Sequence, residues 1–449
     1  MNNKNEKQKK YNIYLCTLGC AKNVSDSDMA AGLLEERGHH IVHHPMDSDV
    51  IMVNTCGFIN DAKKESIDKI LEMAGLKDEG EKKRLLIVSG CLSKRYGADL
   101  FEEMPEVDIF IGVNEYHRLP DILEAHQAKR ELHIEDCAPD FMELSSRKLA
   151  DNPYTATVKI AEGCNNVCAY CVIPHIRGHF RSRREEDILQ EAEMLAQRGC
   201  KELILIAQDV TAYGVDLYGE FRLAALVKKL CRIDGLQWIR LMYCYEDRIT
   251  DELIEVMASE EKVCHYLDIP IQHSSDVILE RMNRRSTHQS IVSKLEKLRK
   301  AIPDIHIRTT LITGFPGETK AEFDELYDFV QEMKFERLGV FAYSKEEGTP
   351  AADMDGQVRR DVKEKRRDSI MRLQVELSLE CNQKKIGQVL PVLVEEQDED
   401  GTYIGRTPYD APEIDNSVLF TSQRELKPGD LVQVRIEDAF DYDIVGVEV

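Results

Sequence analysis

Three closely spaced cysteines carry the strongest chemical signal in the sequence. Cys164, Cys168 and Cys171 follow a C-x3-C-x2-C pattern directly after a predicted strand. Three thiolates on one loop can bind three irons of a 4Fe–4S cluster and leave the fourth iron open, whereas an electron carrier normally uses four cysteines. Because catalytic metal sites keep an open position, the pattern predicts chemistry at the cluster. A zinc site that includes His175 or His179 is the alternative.

Cys20, Cys56 and Cys91 form a second set, because each ends a predicted strand and has a glycine beside it that leaves room for a bulky cluster. Parallel strands end at the same edge of a sheet, so these thiols are expected to converge there. Cysteine is among the most often buried residues, and three unrelated core thiols are therefore the alternative. The other seven cysteines are interpreted as structural: Cys16, Cys137, Cys200, Cys231, Cys244, Cys264 and Cys381.

Strands and helices alternate along residues 11–113 and predict an N-terminal parallel α/β domain. The polar, irregular residues 127–153 mark a domain boundary. The predicted strands are Tyr11–Leu18, Val50–Asn54, Arg84–Ser89 and Val107–Val113. The predicted helices are Asp26–Arg37, with Ser25 as its cap, and Ala62–Leu76.

Six strand patterns alternate with helical patterns in the middle of the chain. They predict a central partial parallel (β/α)6 barrel, in which ligands bind at the carboxyl ends of the strands. The predicted strands are Thr157–Ile160, Leu203–Ala207, Ile239–Tyr243, Tyr266–Ile271, His306–Ile312 and Arg337–Tyr343. The predicted helices are Glu185–Arg198, Leu223–Ile233, Asp251–Ser259, Ile291–Ala301 and Lys320–Met333.

A long charged helix, Val362–Cys381, is predicted to connect this barrel to a small C-terminal β-barrel. Residues 386–449 hold 4 basic and 15 acidic residues, a net charge of −11. The predicted strands of the small barrel are Val389–Val394, Val418–Phe420, Leu431–Ile436 and Ile444–Val449. The predicted domains are residues 11–127, 150–383 and 384–449.

The composition predicts a multidomain protein of a reducing compartment. Its 449 residues exceed what one hydrophobic core organises. The formal charge of −23 disfavours a chain that grips nucleic acid mainly through phosphates and favours a basic protein partner. No apolar run approaches a membrane span and no signal-peptide core follows the polar start, so we expect a cytoplasmic protein. In that compartment, thirteen cysteines are expected to include metal ligands.

The cysteine triplet, with Tyr170 before its last cysteine, resembles the signature of the radical S-adenosylmethionine (SAM) superfamily. The resemblance implies that SAM binds the open iron, and that an electron from the cluster cleaves SAM to a radical that removes hydrogen from an unactivated carbon. Segments after the fourth and fifth barrel strands look like SAM-contacting segments, with ordinary turns and a helix-entry loop as alternatives. The implied cofactor-binding residues are Tyr170, Gln208, Gln272, Gly314, Gly317 and Glu318.

The segment Thr17–Asn23, the Asn-Thr-Cys element at Cys56 and the Gly-Cys element at Cys91 resemble the amino-terminal domain of the methylthiotransferase family. The resemblance covers nearly the whole chain and ends in a TRAM domain. In this family three such cysteines bind an auxiliary 4Fe–4S cluster that takes part in sulfur delivery. The resemblance therefore implies two cluster ligand sets, Cys20, Cys56 and Cys91 for the auxiliary cluster and Cys164, Cys168 and Cys171 for the radical SAM cluster.

Two methylthiotransferase subfamilies differ in their substrate. One, MiaB-like, modifies an isopentenyl-adenosine in tRNA, and the other modifies the β-carbon of an aspartate in ribosomal protein uS12. The loop Ile173–Arg183, the stretch Asp410–Asn416 and the acidity of the C-terminal barrel favour the second, because an acidic domain repels phosphates and attracts a basic ribosomal protein. Asn416 stands where glycine is expected, but asparagine also tolerates a left-handed turn. A solvated acidic surface without a partner is the alternative.

Arg177, Arg181 and Arg183 follow the cysteine loop and are candidates for orienting a carboxylate of SAM or of the substrate. Surface ion pairs with Glu185 and Glu186 are the alternative. The expected reaction uses one SAM to methylate a sulfur and another to activate the substrate carbon, and it needs a reductant of the flavodoxin or ferredoxin type. The expected partner is ribosomal protein uS12 or the small ribosomal subunit, without direct tRNA binding. A pure electron-transfer protein is disfavoured because both cysteine sets lack a fourth member.

Overall fold

The structure, a computed structural model, describes residues 9–77, 79, 83–135, 147 and 152–449. The chain forms two compact units. The first comprises Met1–Asp151, Glu162–Asn166 and Val172–Asp187, and the second comprises Asn152–Ala161, Val167–Cys171 and Ile188–Val449. Cys137, interpreted above as structural, lies outside the described residues. Among the residues described, no helix combines the length and the apolar composition that crossing a lipid bilayer requires.

In its described part, the first unit contains a six-stranded parallel sheet in the order β2-β1-β3-β4-β5-β6. The strands are β1 (Asn12–Thr17), β2 (His40–Val42), β3 (Val50–Thr55), β4 (Leu85–Gly90), β5 (Ile109–Ile111) and β6 (Glu131–His133). The helices that pack on this sheet are α1 (Ala21–Glu36), α2 (Asn60–Lys77), α3 (Cys91–Glu103) and α4 (Leu119–Ala125).

Both faces of this sheet are buried, which explains why its central strands are apolar throughout. Along β3, Val50 and Met52 pack in one hydrophobic cluster, whereas Ile51 and Val53 pack in the other. Helices α1 and α4 complete the first cluster, and α2 and α3 complete the second. The predicted N-terminal parallel α/β domain is therefore confirmed.

Helix α1 begins at Ala21 and not at the predicted Asp26, so Ser25 is not its cap. The early turns are polar but buried, and apolar periodicity therefore gave no sign of them. The side-chain amide of Asn23 donates to a backbone oxygen just after β1 at 2.8 Å and to one at the end of β3 at 3.0 Å. These hydrogen bonds hold the polar start of the helix against the strand ends, with Cys20 as the N-cap.

Five elements follow the first sheet along the described part of the chain, beginning with the first strand of the central sheet. They are β7 (Thr155–Lys159), β8 (Ala161–Glu162), α5 (Ile173–Arg177), β9 (Arg181–Ser182) and α6 (Glu185–Gln197). The following strands are β10 (Glu202–Ile206), β11 (Trp238–Leu241), β12 (Val263–Asp268), β13 (His306–Thr313) and β14 (Arg337–Ala342). The following helices are α7 (Val215–Tyr218), α8 (Leu223–Leu230), α9 (Asp251–Ser259), α10 (Asp276–Arg281), α11 (His288–Ala301) and α12 (Lys320–Met333).

The second unit is built on a six-stranded parallel sheet in the order β14-β13-β12-β11-β10-β7, so that neighbours in the sheet follow one another along the chain. Helices occupy the crossovers, and the predicted partial (β/α)6 barrel is confirmed. Helices α9 and α12 have the predicted bounds because strong caps define their starts. The Thr250 hydroxyl accepts from Leu253 N–H, and Thr319 forms a capping box with Glu322.

Helix α13 (Arg360–Gln383) leads to a closed five-stranded barrel in the order β15-β16-β17-β19-β18. Its strands are β15 (Val389–Gln397), β16 (Tyr403–Arg406), β17 (Val418–Thr421), β18 (Leu431–Ala439) and β19 (Ile444–Glu448). The predicted small β-barrel is confirmed, but β16 was missed because it is short and contains Gly405. A side chain at Gly405 would lie 2.5 Å from the Leu393 backbone oxygen, so the close approach of β15 requires the glycine.

Candidate functional site

Three thiols of the first unit lie at the carboxyl ends of neighbouring strands. Cys20 is the N-cap of α1, Cys56 directly follows β3, and Cys91 is the first residue of α3. Strands β1, β3 and β4 are adjacent and parallel. The structure therefore places all three thiols along one edge of the sheet, which is where the sequence predicted them.

A glycine beside each cysteine lets the neighbouring strand ends approach closely. A side chain at Gly19 would lie 2.9 Å from Cys56 Cβ, and one at Gly57 would lie 2.8 Å from the backbone at the start of α3. At Gly90, whose φ is +97°, a side chain would lie 2.4 Å from the backbone oxygen of Thr55. The close packing of the three loops therefore requires these glycines. This reason differs from the one given by the sequence, which was that the glycines leave room for a cluster.

The three thiols differ in their electrostatic surroundings. Cys20 is an exposed residue, yet protein atoms around its thiol exclude part of the solvent and raise its pKa. The positive charges of Lys22 and Arg177 and two backbone hydrogen bonds outweigh this effect, so the pKa of Cys20 lies below its ordinary value. Burial raises the pKa of Cys56 to about 11 and also raises the pKa of Cys91. Cys20, at a helix N-terminus and beside two cations, is therefore the thiol that ionises most readily.

Arg177 is a buried cation of this site, with a side chain only 2% exposed. Its Nη1 donates to both carboxylate oxygens of Glu162 at 3.1 and 3.2 Å. Its Nη2 donates to Asn23 Oδ1 at 3.1 Å and to Asp26 Oδ2 at 3.0 Å, and it lies 3.5 Å from Cys91 Sγ. Burial lowers the pKa of Arg177, but electrostatic interactions with Cys91, Glu162 and Asp26 outweigh it and hold the pKa well above its ordinary value.

The contacts of Arg177 differ from both roles that the sequence suggested. The guanidinium is buried and does not form surface ion pairs with Glu185 or Glu186, and both of its terminal nitrogens already donate to protein groups. Arg181 is half-buried and Arg183 is buried. A role for Arg181 and Arg183 in orienting a carboxylate stays a prediction.

Asp26 and Glu162, the two carboxylates that fix Arg177, were not predicted as site residues from the sequence. Glu162 lies two residues before Cys164 at the end of β8, and this proximity was the signal that could have selected it. Asp26 gave no signal, because it was interpreted as the start of a helix and not as a buried residue inside one.

Cys164 also belongs to the first unit and is buried. Its N–H donates to the Gly178 oxygen at 3.1 Å, and its Sγ accepts from the N–H of Asn166 at 3.4 Å. His175 and His179, the residues considered for zinc, are both exposed. Within the described ranges, no three His, Cys, Asp or Glu side chains are grouped to hold a single metal ion.

Cys168 and Cys171 belong to the second unit. The N–H of Cys171 donates to the Cys168 oxygen at 3.0 Å, and Cys168 Sγ lies 3.5 Å from the Tyr245 hydroxyl. The Tyr245 ring faces the Arg284 guanidinium, whose Cζ is 4.4 Å from the ring centre, and Arg284 pairs with Glu246 at 3.3 Å. Tyr245 and Glu246 follow the carboxyl end of β11, where such barrels carry ligand-binding residues, but neither was predicted as a site residue from the sequence.

The predicted SAM contacts Tyr170, Gln208 and Gln272 belong to the second unit. The Tyr170 ring meets Phe315 edge-on, with ring centres 6.5 Å apart. Gln208 follows β10, and Gln272 follows β12 with a φ of +75°, a conformation that is uncommon outside glycine and that clusters at functional sites. The backbone of Gln272 is held by hydrogen bonds to β13 at 2.8 Å in both directions. Contact of these residues with SAM stays a prediction.

Gly314, Gly317 and Glu318 form a tightly packed turn after β13. A side chain at Gly314 would lie 2.1 Å from a side chain of α13, and one at Gly317 would lie 2.7 Å from Arg281. Glu318 is buried, accepts from the Gly314 N–H at 2.7 Å and pairs with Arg366 at 2.6 Å. Contacts within the protein therefore already require these residue types, and a further role toward a ligand stays a prediction.

Ion pairs join the C-terminal barrel to the central sheet. The pairs are Arg406–Glu202 at 2.6 Å, Arg337–Asp410 at 2.5 Å and Arg308–Asp415 at 2.9 Å. Glu202 also pairs with the buried Arg240 at 2.8 Å. Burial raises the pKa of Glu202, but the charges of Arg406 and Arg240 outweigh it and lower the pKa to about 2.

The stretch Asp410–Asn416 therefore has a structural role within the second unit. Asp415 accepts from the Tyr266 hydroxyl at 2.7 Å in addition to its ion pair. The residue with left-handed backbone is Glu413, with a φ of +67°, and not Asn416. Because the φ of Asn416 is not positive, this position does not require glycine, and asparagine fits it without a left-handed conformation.

Three segments of the chain match known families. Residues 158–330 match the Radical SAM superfamily, residues 386–449 match the TRAM domain, and residues 12–112 match the uncharacterized protein family UPF0004. Together with the partial barrel and its cysteine loop, these matches define an enzyme of the radical SAM class.

Full-length relatives narrow this class. A ribosomal protein uS12 methylthiotransferase RimO of Desulforamulus reducens is 49% identical over 97% of this chain and 98% of its own length. A protein of the same name from Clostridioides difficile is 48% identical over 97% of this chain and 98% of its own length. The chain belongs to the family of ribosomal protein uS12 methylthiotransferases. The subfamily favoured from the sequence is thereby confirmed over the MiaB-like alternative.

Solved structures agree on the fold. The radical SAM methyltransferase TsrM of Kitasatospora setae, with cobalamin and a [4Fe-4S] cluster bound, superposes with a TM-score of 0.54 at 12% identity and covers 76% of this chain and 74% of its own. The cobalamin-dependent radical SAM enzyme OxsB has a TM-score of 0.50 at 13% identity and covers 81% of this chain and 56% of its own. At this identity the likeness concerns the fold alone.

Proposed function

We propose that this enzyme transfers a methylthio group to the β-carbon of an aspartate in ribosomal protein uS12. The observation that carries the proposal is the set of three thiols at adjacent strand ends, in a chain that also contains the C-x3-C-x2-C loop. The relatives of matching length, 47–49% identical, support the substrate because they are named for it.

The residues present fit two iron–sulfur clusters. Thiolates are the ligands that such clusters require, and two cations beside Cys20 favour its ionised form. In the second set, the hydroxyl of Tyr245 lies 3.5 Å from Cys168 Sγ and offers one polar contact to it. The proposed ligands are Cys20, Cys56 and Cys91 for the auxiliary cluster and Cys164, Cys168 and Cys171 for the radical SAM cluster.

The bound clusters and SAM supply the electron and radical chemistry and the sulfur, whereas the protein supplies binding, orientation and exclusion of water. Residues after the strands of the central sheet are proposed to contact SAM: Tyr170, Gln208, Gln272, Gly314, Gly317 and Glu318. The proposed extents of the three functional parts are residues 11–127, 150–383 and 384–449, and the family matches to 12–112, 158–330 and 386–449 support them.

The acidic barrel favours a basic protein partner over RNA. Asp410 and Asp415 are paired with arginines of the central sheet, but acidic residues such as Glu396, Asp398 and Glu437 are exposed. This surface repels phosphates and attracts basic segments, so direct tRNA binding is disfavoured. We further propose a cytoplasmic location and a low-potential reductant of the flavodoxin or ferredoxin type.

The test is an anaerobic turnover with both candidate substrates in one tube. The reconstituted enzyme, SAM and a reductant are offered uS12 and tRNA, and both are analysed by mass spectrometry. A methylthio increment on the aspartate-containing peptide, with unmodified tRNA, is expected. Cys56→Ser is expected to abolish the increment and Cys16→Ser, at a neighbouring thiol outside the proposed sets, to retain it. An increment on adenosine instead would overturn the proposal.

A further inference from the structure

We infer that Arg177 is a positioning residue of the auxiliary cluster, which holds Cys91 and stabilises the reduced form of the cluster. This inference rests on the proposed function, because it takes Cys20, Cys56 and Cys91 as cluster ligands. In this inference Arg177 contacts the cluster ligand Cys91, whereas the sequence suggested that it orients a carboxylate of SAM or of the substrate. The carrying observation is the 3.5 Å contact between Arg177 Nη2 and Cys91 Sγ.

The geometry explains why an arginine stands here. Its guanidinium contacts three residues besides Cys91, namely Glu162 through Nη1 and Asn23 and Asp26 through Nη2. These contacts fix the plane of the guanidinium, so that Nη2 stays directed at Cys91. A lysine has one compact ammonium group and cannot make the same set of contacts at once.

The charge of Arg177 acts strongly because the side chain is 2% exposed. Charges in a buried site are poorly screened by water and salt. The potential of an iron–sulfur cluster depends on net charge, on hydrogen bonds to sulfur and on solvent exposure. Reduction adds one negative charge to the cluster, so a buried cation with an N–H directed at a ligand sulfur favours the reduced state.

The two carboxylates that fix Arg177 have the opposite electrostatic effect. Asp26 and Glu162 hold the guanidinium in place, but each adds a negative charge beside the same guanidinium group that contacts Cys91. Removing the cation and removing one carboxylate should therefore shift the potential in opposite directions. A residue that only stabilised the fold would not produce this pair of opposite signs.

The experiment uses the full chain with Cys164, Cys168 and Cys171 replaced by alanine, so that only the auxiliary set remains. This parent and its Arg177→Met, Arg177→Lys and Glu162→Gln derivatives are reconstituted anaerobically and titrated electrochemically, with absorbance and electron paramagnetic resonance as readouts. Arg177→Met is expected to raise the ratio of oxidised to reduced cluster about tenfold at a fixed potential, which equals about 59 mV for one electron. Glu162→Gln is expected to lower the ratio, and Arg177→Lys is expected to remain closer to the parent.

The outcomes separate the inference from the proposed function. A parent that binds no iron would contradict the ligand assignment of the proposed function. A parent and variants that bind the cluster with equal potentials would leave that assignment intact and overturn the inference. If Arg177→Met does not fold because two carboxylates lose their partner, Glu162→Gln decides alone, since an unchanged potential there overturns the inference.

Discussion

Replacing Glu202 by glutamine tests the energetic weight of the ion pairs between the central sheet and the C-terminal barrel. The carboxylate pairs with Arg240 at 2.8 Å and with Arg406 at 2.6 Å, and all three side chains are buried. Glutamine keeps the shape of the side chain but removes its charge, so two buried guanidinium groups lose a shared partner. Removing one partner of a buried pair costs about 3–5 kcal/mol.

The pKa of Glu202 gives a second figure for the same contribution. The folded protein lowers this pKa from 4.5 to about 2. At 1.36 kcal/mol per pH unit, this difference corresponds to about 3 kcal/mol. Because the pKa is lower in the folded state, the contribution is fully present above the unfolded pKa of 4.5 and is lost as the pH falls toward 2.

Trp238 is the single tryptophan of the chain and pairs in register with Glu202 in the central sheet, so its fluorescence reports the unfolding of this region. Urea titrations at neutral pH are expected to show a loss of about 3 kcal/mol for Glu202→Gln. Glu260→Gln removes an ion pair with the exposed Arg232 and is the matched control, with a loss below about 1 kcal/mol. Two results would contradict this expectation: a loss of unfolding free energy for Glu202→Gln that equals the loss for Glu260→Gln, or a loss for Glu202→Gln that does not shrink below pH 4.5.

Further predictions concern the strand ends, the cysteines and the barrel. Cys56→Ser is expected to halve the iron bound after anaerobic reconstitution, as measured by chemical iron assay. Gly90→Ala is expected to lower the melting temperature of the first unit strongly, because the new Cβ meets backbone at 2.4 Å, whereas Gly38→Ala meets only a flexible lysine and costs less. Asp410→Asn is expected to destabilise the second unit by about 3 kcal/mol in urea, because Arg337 loses its buried partner.

The sequence predicted those features that depend on local periodicity and spacing. The parallel strands, helices α9 and α12 and the closed barrel follow from apolar patterns and caps. The placement of Cys20, Cys56 and Cys91 at one edge followed from the rule that parallel strands end together. These predictions required only local sequence patterns and this rule, and no knowledge of contacts between distant segments.

The missed features depend on polar contacts between segments that are distant in sequence. Arg177 contacts Asp26 across 151 positions, and Arg406 contacts Glu202 across 204 positions. Single-sequence patterns treat such residues as solvated, because charged side chains are rarely buried unless they are paired. The early start of α1 was missed for the same reason, since polar side chains fix its early turns.

The attachment of the barrel also sets a minimum length for any partner that uses both ends of the central sheet. Glu202 begins β10 and Arg337 begins β14, so the barrel is joined at the amino ends of the strands, whereas the proposed SAM contacts follow the carboxyl ends. Strand β13 has 8 residues and spans about 26 Å at about 3.3 Å per residue. An extended peptide of about five residues reaches at most about 18 Å. A partner that touches the barrel while presenting an aspartate at the other end must therefore be longer than such a peptide, with at least about eight extended residues or a folded domain between the two contacts.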